Sequence, residues 1–130
     1  MKKFVALIAL CAMVFTLLVG CSGGMKDNTY KAEGKVDERG WKPQIEVTIK
    51  GGKITDVKYD EVDKNGKMKS TDAEYAKNMS AKTKITPAEA YDKLKKDLIA
   101  KQDPAKDDTV AGAPNETNSF KDLAKQALKK

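Results

Sequence analysis

The chain has 130 residues, 25 lysines and arginines against 19 acids, a formal charge of +6, no histidine and only two cysteines. The lack of histidine excludes His-based triads, the common zinc sites and haem ligation through His. The lysines are interspersed with acids and only eight aromatic residues accompany them, so nucleic-acid binding is not expected.

The first segment reads as a lipoprotein export signal. Lys2 and Lys3 form a basic start, Phe4 to Val19 carries no charge, and Leu18-Val19-Gly20 places small residues before Cys21. The uncharged run is shorter than the ~20 apolar residues that span a bilayer. The segment resembles the lipobox of lipoprotein precursors, in which the cysteine is acylated and becomes the new N-terminus. Residues 1–20 are therefore expected to be signal, and residues 21–28 the lipidated Cys21 and a short polar tether. Residues 29–130 are expected to form one small domain. Without Lys2 and Lys3 the charge is +4. Cys11 falls in the signal and Cys21 carries lipid, so no disulfide is expected in the mature chain. The expected place is the extracytoplasmic membrane face, held by the acyl chains rather than by a spanning helix.

In chain order, Thr29 to Glu33 reads as a first strand ended by Gly34. Trp41 to Lys50 is the clearest strand, because Ile45, Val47 and Ile49 alternate with Glu46 and Thr48. Gly51-Gly52 predicts a tight hairpin, and Lys53 to Val62 returns as its partner. The apolar parity changes between Ile54 and Val57, which predicts a bulge near Thr55-Asp56. Asp63-Lys64-Asn65-Gly66 is a turn. The spacing of Thr71-Asp72-Ala73-Glu74 predicts a capping box and a short helix through Met79. Thr86-Pro87-Ala88-Glu89 opens a second helix with Tyr91, Leu94 and Leu98 on one face, ending before Pro104. A polar loop follows, and Ser119 is expected to cap a last helix bearing Phe120, Leu123, Ala124, Ala127 and Leu128. A hairpin cannot bury its apolar face alone. The expected class is therefore α+β, a small antiparallel sheet with a central hairpin covered by two to three helices.

The stretch Asp107 to Thr117 carries the candidate chemistry. Gly112 permits close backbone approach, and a following helix start presents free N–H groups to an anion. Asp107, Asp108 and Glu116 read as solvated loop acids, with Asp108 as a turn residue bonded to nearby backbone N–H groups.

The order of pieces resembles the FMN-binding domain family of flavin-carrying lipoproteins and membrane redox subunits. It includes Thr29-Tyr30 with Gly34 following, the strand pair around Gly51-Gly52, and the closing Phe120 to Leu128. Members of that family carry Asp-x-x-Ser/Thr-Gly-Ala-Ser/Thr-x-Ser/Thr, whose last hydroxyl takes FMN phosphate in a phosphoester. Asp108, Gly112 and Ala113 match. Ala111 and Pro114 replace hydroxyl residues, and Glu116 stands at the attachment position, with Thr117 one residue later. A carboxylate cannot form that stable ester. The resemblance implies FMN as cofactor, electron transfer as a carrier rather than an autonomous enzyme, membrane redox partners or quinones, and cofactor-binding roles for Asp108, Gly112, Ala113, Glu116 and Thr117. Tyr30, Trp41, Tyr59 or Tyr91 would line a flavin face. The alternative is a cofactor-free binding or partner-docking lipoprotein on the same fold.

Overall fold

The computed structural model describes residues 25–129, so the expected signal and Cys21 lie outside the described residues. Three strands, β1 (Asn28–Glu33), β2 (Lys42–Lys50) and β3 (Lys53–Val62), form an antiparallel sheet in the order β1-β2-β3. Three helices accompany it: α1 (Ala73–Thr83), α2 (Pro87–Lys101) and α3 (Pro114–Ala127). Short 3-10 turns span Lys69–Thr71 and Pro104–Lys106. The α+β class expected from the sequence is the observed one.

The central hairpin follows from side-chain period and turn chemistry. Gly51 and Gly52 have φ of +60° and +74°, the doubly positive pair of a tight hairpin whose twist matches its strands. Ile45 pairs with Tyr59, Val47 with Val57 and Ile49 with Ile54, all buried on one face. Thr48 faces Asp56 and Ile49 faces Ile54, which leaves Thr55 without a partner. This bulge resolves the parity change read from the sequence: one extra residue returns both flanking apolar sets to the core side. At the bulge the Gln102 side chain accepts from the Ile54 N–H at 2.7 Å and donates to its carbonyl at 2.9 Å. Met68 bridges to Val62 at the other end of β3.

The helices cover the apolar face. In α2 the capping box is complete, with Thr86 Oγ1 accepting from the Glu89 N–H and Glu89 accepting from the Thr86 N–H. Ala90, Tyr91, Leu94 and Leu98 are buried, each leucine removing surface that contributes roughly 1.5–3 kcal/mol. Tyr59 meets Tyr91 and Phe120 edge-on at centroid separations of 4.9 and 5.1 Å.

Two helix boundaries differ from expectation. Asp72 rather than Thr71 caps α1, accepting from the Tyr75 N–H at 3.0 Å, and the helix runs on to Thr83. Thr71 is instead held in the preceding 3-10 turn, its hydroxyl donating to the Met68 carbonyl. The last helix begins at Pro114, with Ala113 as its cap residue, so Ser119 lies within it. Proline's fixed φ suits the first helical position, and burial of Thr117 and Phe120 one turn apart outweighs the loop-like composition of Asn115 to Ser119.

Candidate functional site

The fold distributes the matched residues rather than gathering them. Asp108 is exposed and pairs with Lys101 at 2.8 Å, at the C-terminal end of α2. Its backbone N–H donates to Asp97, reversing the expected role of its own carboxylate. Gly112 has φ of +83°, and a Cβ there would stand 2.8 Å from the Thr83 carbonyl oxygen. Glycine is required because α1 ends against this backbone. Ala113 is fully buried at the start of α3.

Thr117 is also fully buried. Its hydroxyl accepts from the Val110 N–H at 3.1 Å and donates to the Ala113 carbonyl at 2.8 Å. That pair of bonds folds residues 110–113 onto the first turn of α3. It leaves the hydroxyl proton committed to the backbone and the oxygen inside the protein. Thr117 is thus a structural clasp of this segment.

Glu116 enters a different setting. It is buried and lies 3.4 Å from Lys69, which is itself buried and equally distant from Glu61. Tyr91 donates its hydroxyl to Glu61. The Lys69 ammonium sits 4.6 Å from the Tyr75 ring centroid and 5.9 Å from that of Trp41, within cation–π reach. Burial opposes the ammonium, yet Glu61, Tyr75 and Glu116 together hold its pKa above the ordinary lysine value. Burial pushes the Glu61 pKa up, against the opposing pull of Tyr91 and Lys69. Two buried carboxylates therefore share one buried cation, an arrangement whose desolvation cost is offset only while all three remain together. Nothing local in Met68-Lys69-Ser70 signals this, because the partners come from β3, α1 and α3.

Asp107 corrects the expectation of a solvated loop acid. It is buried between α2 and α3, facing Asp97. Burial and the neighbouring Asp97 carboxylate push its pKa up to about 8, and neither of its carboxylate oxygens finds a hydrogen-bond partner among the described residues. Lys121 ties the Asp107 carbonyl at 3.0 Å.

The aromatic residues do not share a wall. Tyr59 and Tyr91 are core, Trp41 packs edge-on against Tyr75, and Tyr30 is half-buried with its hydroxyl on the Lys26 carbonyl. The reason is the pleat: Tyr59 belongs to the inward set of β3, where helices already cover it.

A cleft of about 540 Å³ opens on Glu61, Lys69 and Glu116 themselves, and two more lie nearby. One, of about 520 Å³, lies between α1 and the start of α3, with Arg39, Tyr75, Lys82, Gly112 and Glu116 among its lining residues. Arg39 there donates to the Tyr75 hydroxyl at 2.9 Å. The other, of about 840 Å³, is lined by Val36, Arg39, Trp41, Lys42, Val62 and Lys64, with Asp63 at its edge. Its cations are partly spoken for, since Lys42 pairs with Glu33 at 3.0 Å, and Val36 is an exposed aliphatic side chain. Among the described residues, no group of three or more His, Cys, Asp or Glu is arranged to hold a metal ion.

No protein-family model matches the chain. It is 40% identical over 122 residues to the 15 kDa lipoprotein of Treponema pallidum (strain Nichols), covering 92% of this chain and 85% of that protein. The chain belongs to the family of that lipoprotein. The crystal structure of the CPE2226 protein from Clostridium perfringens superposes with a TM-score of 0.78 at 37% identity, over 81% of this chain and 87% of that one. A solution structure of a Clostridium thermocellum protein gives a TM-score of 0.56 at 29% identity, over 81% and 91% of the two chains. Among the described residues no helix is long and apolar enough to cross a membrane.

Proposed function

We propose that this protein is a lipid-anchored extracytoplasmic lipoprotein whose domain docks a partner and carries no covalently attached cofactor. The observation that carries the reading is Glu116. At the position where the FMN-binding family, which this chain resembles, bears its ester-forming hydroxyl, a carboxylate is buried against Lys69. The neighbouring hydroxyl of Thr117 is enclosed and bonded at both ends, so a transferase meets no accessible acceptor. The wider cleft supplies a docking surface. Arg39 and Lys64 beside the apolar Val36, Trp41 and Val62 suit an acidic segment carrying an aliphatic or aromatic anchor. Membership in a lipoprotein family supports the anchor at Cys21.

A second reading is non-covalent FMN, as an electron carrier beside membrane redox partners or quinones. It is favoured by the narrower cleft, whose volume is in the range of ligand pockets and which brings Arg39 and Lys82 beside Gly112. There Arg39 and Lys82 would neutralise the phosphate and Tyr75 would offer a ring edge or hydroxyl. A bound flavin would supply the redox chemistry.

The acylated full-length protein, recovered from cells that express an FMN transferase, separates these readings. Intact mass without an FMN increment, and no visible absorbance after dialysis against free FMN, are expected. Retained but dissociable flavin supports the second reading. An FMN increment mapped to Thr117 overturns the first.

A further inference from the structure

We propose that the end of the sheet carrying the β2–β3 turn is the surface this lipoprotein turns toward the bilayer, with Lys26, Lys50 and Lys53 seated against anionic phospholipid headgroups. The inference rests on the lipid anchor at Cys21, and adds to it the orientation of the domain.

Chain length is the first argument. Four residue steps separate Cys21 from Met25, a reach of at most about 14 Å when fully extended. Where the described chain begins, it is fastened. Met25 packs against the core, the Lys26 carbonyl accepts from the Tyr30 hydroxyl at 2.8 Å, and the Asp27 carboxylate accepts from the Gly51 N–H at 2.8 Å. Asn28 then pairs with Ile49. The tether therefore leaves the fold beside the hairpin turn and nowhere else. The opposite end of β2, at Lys42, is eight residue steps away, or roughly 26 Å along the strand. Anchored this closely, the hairpin end stays within reach of the headgroups, whereas the Lys42 end reaches them only if the domain lies flat.

Charge is the second argument. Lys26, Lys50 and Lys53 are exposed and none forms an ion pair among the described residues. Of the nearby acids, Asp27 is engaged by the Gly51 N–H and Asp103 by that of Ala105, while Asp56, paired with Thr48, is exposed and offsets part of this charge. Each lysine near an anionic surface favours contact roughly fivefold, so three of them give a preference on the order of a hundredfold, weakened by salt. The clefts bordered by Arg39 and Lys42 would then face away from the lipid, open to a partner.

The test uses the full-length acylated protein reconstituted in phosphatidylcholine vesicles with and without phosphatidylglycerol. A fluorophore is placed at Thr55→Cys near the hairpin or at Asn65→Cys at the far end, and a headgroup-labelled lipid is the quencher. Quenching severalfold stronger at position 55 than at 65, dependent on phosphatidylglycerol, is expected. Lys26→Glu, Lys50→Glu and Lys53→Glu together should abolish the difference while flotation with vesicles is retained. Equal quenching at both positions, a reversed order, or indifference to the anionic lipid overturns the orientation. Failure of the unsubstituted protein to float removes the anchor itself, and the orientation with it.

Discussion

Replacing Lys69 tests whether the buried ionic cluster holds the domain together. Lys69→Met keeps much of the aliphatic stem against Trp41 and Tyr75 but deletes the charge shared by Glu61 and Glu116. All three side chains are at most one-tenth exposed, so solvent offers little relief. Removing one partner from such a group costs about 3–5 kcal/mol. For a domain of this size, 3 kcal/mol lowers Tm by at least about 12 °C. The loss has a pH signature. Glu61 already has a raised pKa, so the stability linked to its protonated form is complete below its unfolded value and is lost as pH rises through the folded one. Without Lys69 that folded value moves further up, and the deficit should be largest near pH 8 and shrink toward pH 5. Urea titrations of both proteins at the two pH values measure this. Adding Glu116→Gln should recover part of the loss, because one buried charge then has no need of a cation. A deficit below about 1 kcal/mol, or one independent of pH, would refute the argument.

Three further outcomes follow from individual contacts. Asp107, with its pKa near 8, contributes stability that is complete below the unfolded carboxylate value and is lost as pH rises from there to about 8; Asp107→Asn should flatten this decline in thermal melts between pH 5 and 8. Gly112→Ala combines a left-handed backbone with a 2.8 Å approach to the Thr83 carbonyl, and should cost at least about 2 kcal/mol in urea unfolding. Thr117→Val leaves the Val110 N–H without its partner and should cost about 1–3 kcal/mol, with no change in the intact-mass increment.

The parts of the fold that were legible in the sequence are those set by neighbours in the chain. The bulge at Thr55 was written in the shift of apolar parity, and the start of α2 in Thr86-Pro87-Ala88-Glu89, because each depends on a few adjacent residues. The start of α3 was not, since Pro114-Asn115-Glu116-Thr117-Asn118-Ser119 has loop composition and becomes helical through burial of Thr117 and Phe120. For the candidate site, Gly112 was recognisable as a close-approach position, though what it approaches, the end of α1, was not. Lys69 and Asp107 were invisible for the same reason. A lysine among lysines and an aspartate beside an aspartate look solvated until remote elements close over them.

The clamp of Gln102 on Ile54 and the bridge from Met68 to Val62 have a consequence for self-association. They plug the outer margin of β3 near both of its ends, so an incoming chain finds no continuous row of free amides on which to extend the sheet. On the other margin, β1 is only six residues long and carries Lys31 and Glu33, which discourage the same stacking. Two margins blunted in this way protect the domain from polymerising with its own copies by strand addition.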